Sequence, residues 1–158
     1  MKESRAPARQ SAAPLEGSSA ARVRHALEAA GCRYTNQRAA VYAFLEKVDA
    51  HPTAEEVYHA VREELPHISL ATVYKALEAL IDAHLATKLS YGDASARYDC
   101  RGEDHYHLRD VVTGQVRDLP ATFDPDLLDK LDPKLKAMLG ELGFRVIGHR
   151  LEVLGRFE

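Results

Sequence analysis

The chain has 158 residues, 46% hydrophobic and 28% charged, with a formal net charge of −3. This is the composition of a soluble globular protein, enough for one ordinary domain or two small ones, and the charge gives no support to nucleic-acid binding. No apolar run reaches membrane-spanning length, and residues 1–21 lack the apolar core of a secretory signal, so the expectation is a cytoplasmic protein with no membrane partner. Two cysteines, Cys32 and Cys100, can form neither a disulfide framework nor a C-x-x-C zinc pair.

Residues 1–21, rich in Ala, Ser, Pro and charge, predict a disordered tail. Val23, Ala26, Leu27 and Ala30 then recur at helical spacing, and Gly31 can end that helix. Thr35 can cap a second helix with Val41, Phe44, Leu45 and Val48 inward. Thr53 with Glu56 three residues on is a capping box for a third, with Val57, Ala60, Val61 and Leu65 inward before Pro66. Ser69 can cap a fourth, whose stripe is Val73, Leu77, Leu80 and Ile81. Residues 86–91, the turn Gly92-Asp93-Ala94-Ser95 and residues 96–100 read as a β-hairpin. Helices followed by a hairpin give a winged helix-turn-helix domain over 22–98, with 69–83 as recognition helix. Thr72, Tyr74 and Lys75 lie on that helix's exposed face, where small residues permit close approach, Lys75 can reach a phosphate or base edge, and Tyr74 offers hydroxyl and ring. A plain helical subdomain with a solvated polar face fits the same pattern.

The densest chemistry follows, in Asp104-His105-Tyr106-His107. Two imidazoles two residues apart on a strand share a face. Asp99 precedes His105 by six residues, Asp118 follows His107 by eleven, and His51 stands alone upstream. Leu108 to Val112, Thr113-Gly114 and Gln115 to Leu119 read as a hairpin. A two-residue turn there puts Asp118 opposite Arg109, within diagonal reach of the histidines. Imidazoles with carboxylates suit iron, manganese or zinc, while an isolated H-x-H is otherwise an ordinary surface pair. Asp124-Pro125 and Asp132-Pro133 are two cap-plus-proline helix starts. The second opens a helix with Leu135, Met138, Leu139 and Leu142 inward. Phe144 to Ile147 and Arg150 to Phe157 are strand-like. Residues 99–158 thus form a small α/β unit that is too small to be stable unaided, which predicts a homodimer. The fold class is α+β.

The chain resembles the ferric uptake regulator (Fur) family, most closely its peroxide-sensing PerR branch. The resemblance rests on Tyr34-Thr35-Asn36-Gln37-Arg38, Ala50-His51-Pro52-Thr53-Ala54-Glu55-Glu56-Val57-Tyr58, Ser69-Leu70-Ala71-Thr72-Val73-Tyr74-Lys75, Tyr91 to Asp99, Asp104 to His107 and His149-Arg150-Leu151-Glu152. It implies a metal-dependent, homodimeric repressor that binds double-stranded operator DNA, not an enzyme. By position it places one regulatory site per subunit on His51, Asp99, His105, His107 and Asp118, for Fe²⁺ or Mn²⁺, with Zn²⁺ possible in vitro. Aspartate at 99 and 118 is the choice of the peroxide-sensing branch, and Tyr106 replaces an acidic ligand of a second site. The family's usual structural zinc, held by two C-x-x-C pairs, is not expected here.

In that branch peroxide acts at bound iron and a ligand histidine is oxidised, which would fall on His51 or His105. Cys100 offers a competing thiol route, and His149 reads as a hydrogen-bonded histidine of the dimer domain. The alternatives are an iron- or manganese-responsive repressor indifferent to peroxide, a non-haem iron enzyme, and a structural zinc protein.

Overall fold

The computed structural model describes residues 17–92 and 94–158, in two compact units that divide between Glu103 and Asp104. The first unit carries α1 (Gly17–Ala29), α2 (Asn36–Lys47), α3 (Ala54–Val61), α4 (Leu70–Asp82), β1 (Thr87–Leu89) and β2 (Arg97–Asp99). Of the expected tail, 1–16 lie outside the described residues, whereas 17–21 are helical. That helix begins early because Arg22 on it reaches across to Glu46 at 3.0 Å and to the Tyr42 hydroxyl at 2.9 Å, which fastens its first turns to α2.

Local chemistry accounts for each boundary. α1 ends at Gly31, whose φ of 73° suits a residue without Cβ; Cys32 N donates to Leu27 O and Gly31 N to Glu28 O, the paired bonds of a Schellman ending. The hydroxyls of Thr35 and Ser69 accept from Arg38 N and Thr72 N. Thr53 and Glu56 form the reciprocal capping box of α3. That helix stops at Val61, and Leu65 packs on the core from the turn beyond it. Leu27, Val41, Val57, Val61, Val73, Leu77 and Leu80 are fully buried. Each such side chain contributes about 1.5–3 kcal/mol over exposure. β1 and β2 pair antiparallel with Thr87 opposite Asp99, forming the wing; Asp93, within the expected turn, lies outside the described residues. Because β2 pairs with β1, Asp99 belongs to the first unit rather than to the second, as a boundary at residue 98 would have it.

The second unit contains β3 (His107–Asp110), β4 (Val116–Asp118), α5 (Leu127–Leu131), α6 (Leu135–Glu141) and β5 (Glu152–Gly155). Its sheet runs β4-β3-β5, with β4 antiparallel and β5 parallel to β3. Three expectations need correction. First, Asp118 pairs with His107 and not with Arg109. The connection is longer than two residues, because the Asp110 carboxylate accepts from Val112 N at 2.7 Å and Thr113 N at 2.9 Å and widens the turn before Gly114. Second, 144–147 is not a strand: no neighbouring edge pairs with it among the described residues, and Phe144 and Ile147 stand in solvent. Third, α5 and α6 start two residues after their prolines. Asp124 and Asp132 instead accept from Asp126 N and Lys134 N in turns before each helix.

The stripe of α6 is not inward either. Met138 is 55% and Leu142 80% exposed, because a unit this small cannot enclose every apolar face it carries. Buried Asp110 compensates in part. Its second oxygen accepts from Phe157 N at 3.0 Å, which ties the chain's last residues to the β3–β4 turn. Backbone amides of Phe157, Thr113 and Val112 hold its carboxyl down at about 2. A depressed native value means that this contribution is complete above the ordinary aspartate range and is lost as pH falls from about 4 through about 2. Asp110→Asn should therefore speed amide exchange at Phe157 and Thr113 roughly tenfold at neutral pH and leave the core helices protected. Unchanged exchange at both amides would refute the tie.

Candidate metal centre

The predicted ligands fall into two groups, one in each unit. In the first, His51 and Asp99 are both about 4% exposed, with His51 Nδ1 3.7 Å from Asp99 Oδ1. They are 48 residues apart in sequence, and backbone chemistry joins them. Tyr98 N donates to Pro52 O at 2.9 Å, and Thr53 forms a bridge with Arg97. Residues 51–53 thereby lie along β2, held by one isolated bridge and these hydrogen bonds. Arg97 Nη1 donates to the His51 carbonyl at 2.8 Å and lies 3.3 Å from Glu56 Oε2. Arg101 N donates to Asp99 Oδ1 at 2.8 Å and orients that carboxylate.

In the second unit, β3 and β4 bring His107 and Asp118 into register. His105 precedes the strand, with Nε2 3.3 Å from Asp118 Oδ1 and its ring edge-on to His107 at 4.6 Å between centroids. The Nε2 atoms of His105 and His107 are both shielded from solvent. Each group pairs imidazole with carboxylate, donors that suit a borderline divalent metal, and a bound cation would offset the cost of burying them.

Other histidine and cysteine expectations separate cleanly. His149 Nε2 lies 3.3 Å from the Tyr106 hydroxyl, and its ring stacks on Phe123 at 4.9 Å, so it is the hydrogen-bonded histidine expected. The Tyr106 hydroxyl also accepts from Asp124 N at 2.9 Å. Cys32 and Cys100 are free thiols against the core. Burial, then the Asp99 carboxylate, push the Cys100 thiol up to about 11, so little reactive thiolate exists near neutrality. The stretch Leu108 to Gly114 holds Asp110 and its backbone bonds.

On α4, Thr72 is half-buried, with Oγ1 2.9 Å from Ser69 Oγ, so its hydroxyl serves the helix cap. Lys75 is exposed. Tyr74 is partly exposed, and its hydroxyl donates to Glu55 Oε1 at 3.0 Å. Sequence reasoning missed Arg97, Glu55 and Asp110. Arg97 and Glu55 sit inside motifs quoted above, but periodicity carries no information about hydrogen bonds between distant segments.

A winged helix-turn-helix unit followed by a small mixed sheet with His and Asp donors defines a class, the metal-responsive transcription regulators. The chain belongs to the ferric uptake regulator family, whose profile matches residues 29–154. A peroxide operon regulator of Bacillus subtilis (strain 168) is 39% identical over 129 residues, 82% of this chain and 84% of that protein. Among solved structures, a zinc-bound manganese uptake regulator is 30% identical, covers 86% of this chain and 98% of its own, and has a TM-score of 0.62. The Helicobacter pylori ferric uptake regulator Fur shares the two-domain fold at a TM-score of 0.69, with 21% identity over 92% of this chain and 95% of that one. No described helix is long and apolar enough to cross a membrane.

Arg97→Ala removes no ligand but frees the His51 backbone. It should weaken divalent-metal affinity by roughly 10–100-fold, the usual effect of losing a group that orients a ligand. Metal competition titration checks this, and wild-type affinity would show that Arg97 does not position His51.

Proposed function

We propose that this protein is a homodimeric, metal-dependent repressor of transcription that binds double-stranded operator DNA and releases it on exposure to hydrogen peroxide. One observation carries the reading. The buried His51–Asp99 pair belongs to the winged-helix unit, while His105, His107 and Asp118 belong to the sheet unit. A metal taking donors from both groups would couple the two units.

The residues fit one regulatory divalent metal per subunit, held by His51, Asp99, His105, His107 and Asp118. When bound, the metal supplies the charge that makes this donor set favourable, and ferrous iron adds one-electron reduction of peroxide. His51 stands at the entry to α3, so its ligation restrains the winged helix. The protein's equilibrium then shifts toward the arrangement that sets two α4 helices at the spacing of two half-sites. Net transfer of one oxygen atom from peroxide to the His51 or His105 imidazole, with water as the other product, would remove a donor and reverse the shift. Thr72, Tyr74 and Lys75 on α4 supply the contact to DNA, with Lys75 reaching a phosphate. The exposed apolar side chains of the sheet unit, Met138, Leu142, Phe144 and Ile147 among them, are covered by a second copy. The site of action is the cytoplasm.

Likeness to the peroxide operon regulator and the aspartates at 99 and 118 support peroxide as the signal. Likeness to a manganese uptake regulator supports a second reading, a manganese- or iron-responsive repressor indifferent to peroxide. His105→Ala or Asp99→Ala should abolish metal-dependent DNA binding and leave a folded dimer; wild-type metal dependence in either variant would overturn the ligand assignment. The signal is separable too. The Fe²⁺ protein should lose DNA binding in low peroxide, with one oxygen added to the peptide holding His51 or His105, while the Mn²⁺ protein keeps it. Cys100→Ser should respond as wild type does. If Cys100→Ser is insensitive and the wild-type histidines stay unmodified, the thiol is the sensor. Equal indifference of the Fe²⁺ and Mn²⁺ forms supports the second reading.

A further inference from the structure

Glu55 sits in the first turn of α3, and its carboxylate accepts a 3.0 Å hydrogen bond from the Tyr74 hydroxyl on α4. Both side chains are exposed, so this bond is made at the surface that α4 would offer to a duplex. The backbone amide of Glu55 itself and the Tyr74 hydroxyl hold that carboxyl below its ordinary value. Near neutrality it is therefore an anion, which accepts hydrogen bonds and has no proton to give. The polarity of the bond follows: Tyr74 donates its only hydroxyl proton to Glu55. What remains free on Tyr74 Oη is lone pairs.

We propose that Glu55 and Tyr74 form one base-reading unit, in which Glu55 engages the Tyr74 proton and leaves Oη as an acceptor selecting an exocyclic amino group in the major groove. The inference rests on the reading of α4 as the DNA-contacting helix. In the major groove only adenine N6 and cytosine N4 donate from an amino group, whereas guanine O6 and thymine O4 accept. A free tyrosine hydroxyl could donate to the latter or accept from the former and would discriminate poorly. A hydroxyl already donating to Glu55 meets guanine O6 or thymine O4 with lone pair against lone pair. Charge acts in the same direction. The Glu55 carboxylate beside Oη repels phosphate oxygens and attracts amino hydrogens. Glu55 is thus a positioning and specificity-determining residue, while affinity for the backbone comes from cations such as Lys75.

The test uses the full chain with Mn²⁺ and a duplex enriched from a randomised pool. Each half-site position is then substituted by all base pairs, and adenine also by 2-aminopurine, which moves the amino group out of the major groove. At one half-site position the wild type should prefer an amino-bearing base by roughly tenfold. Tyr74→Phe and Glu55→Ala should each reduce that preference toward one. Glu55→Gln, which keeps an acceptor oxygen, should retain the preference. Full base preference in Glu55→Ala, with binding that Lys75→Ala weakens on every sequence alike, would overturn this inference alone. A wild-type chain with no metal-dependent duplex binding would refute the repressor reading and this inference with it.

Discussion

The pairing of residues 51–53 with β2 is the constraint on which the candidate centre depends. Without Tyr98 N on Pro52 O and Arg97 on the His51 carbonyl, His51 would sit on a free loop leading into α3. The pairing serves two purposes at once. It buries an imidazole beside Asp99, and it fixes the entrance of α3 just where Thr53 and Glu56 close the capping box. The entrance of α3 and the position of the His51 imidazole are thereby set by the same few hydrogen bonds. A change in the environment of His51 consequently reaches the helices through rigid backbone and not through a flexible side chain.

Much of the first unit was legible in the sequence because its signals are local. Thr35, Thr53 and Ser69 are hydroxyl caps, Gly31 takes the left-handed conformation that ends α1, and the stripe of Val73, Leu77 and Leu80 has helical period. His84, at φ 56°, escaped notice because nothing distinguishes a non-glycine in that conformation from its neighbours by type. The five candidate ligands were also named from residue type and spacing. Their grouping was not, since joining His51 to Asp99 depends on a bridge between segments far apart in the chain.

The second unit was less legible, for reasons that can be assigned. One side-chain acceptor, Asp110, lengthened a turn and moved Asp118 from Arg109 to His107. Parallel pairing of β5 with β3 leaves no turn motif to read, and 144–147 has strand-like residue types with no partner edge among the described residues. The apolar stripe of α6 had the right period, yet period says only that a face will be covered. It does not say by which molecule.

Asp110 has a wider meaning for how this joint meets oxidants. The carboxylate joins the β3–β4 turn to the residues after β5 by hydrogen bonds from three backbone amides. Thiolates are consumed by peroxide, and a joint built from them would be dismantled by it. A carboxylate at its highest carbon oxidation level short of losing the carbon is inert to it. A joint made by this carboxylate is therefore redox-silent.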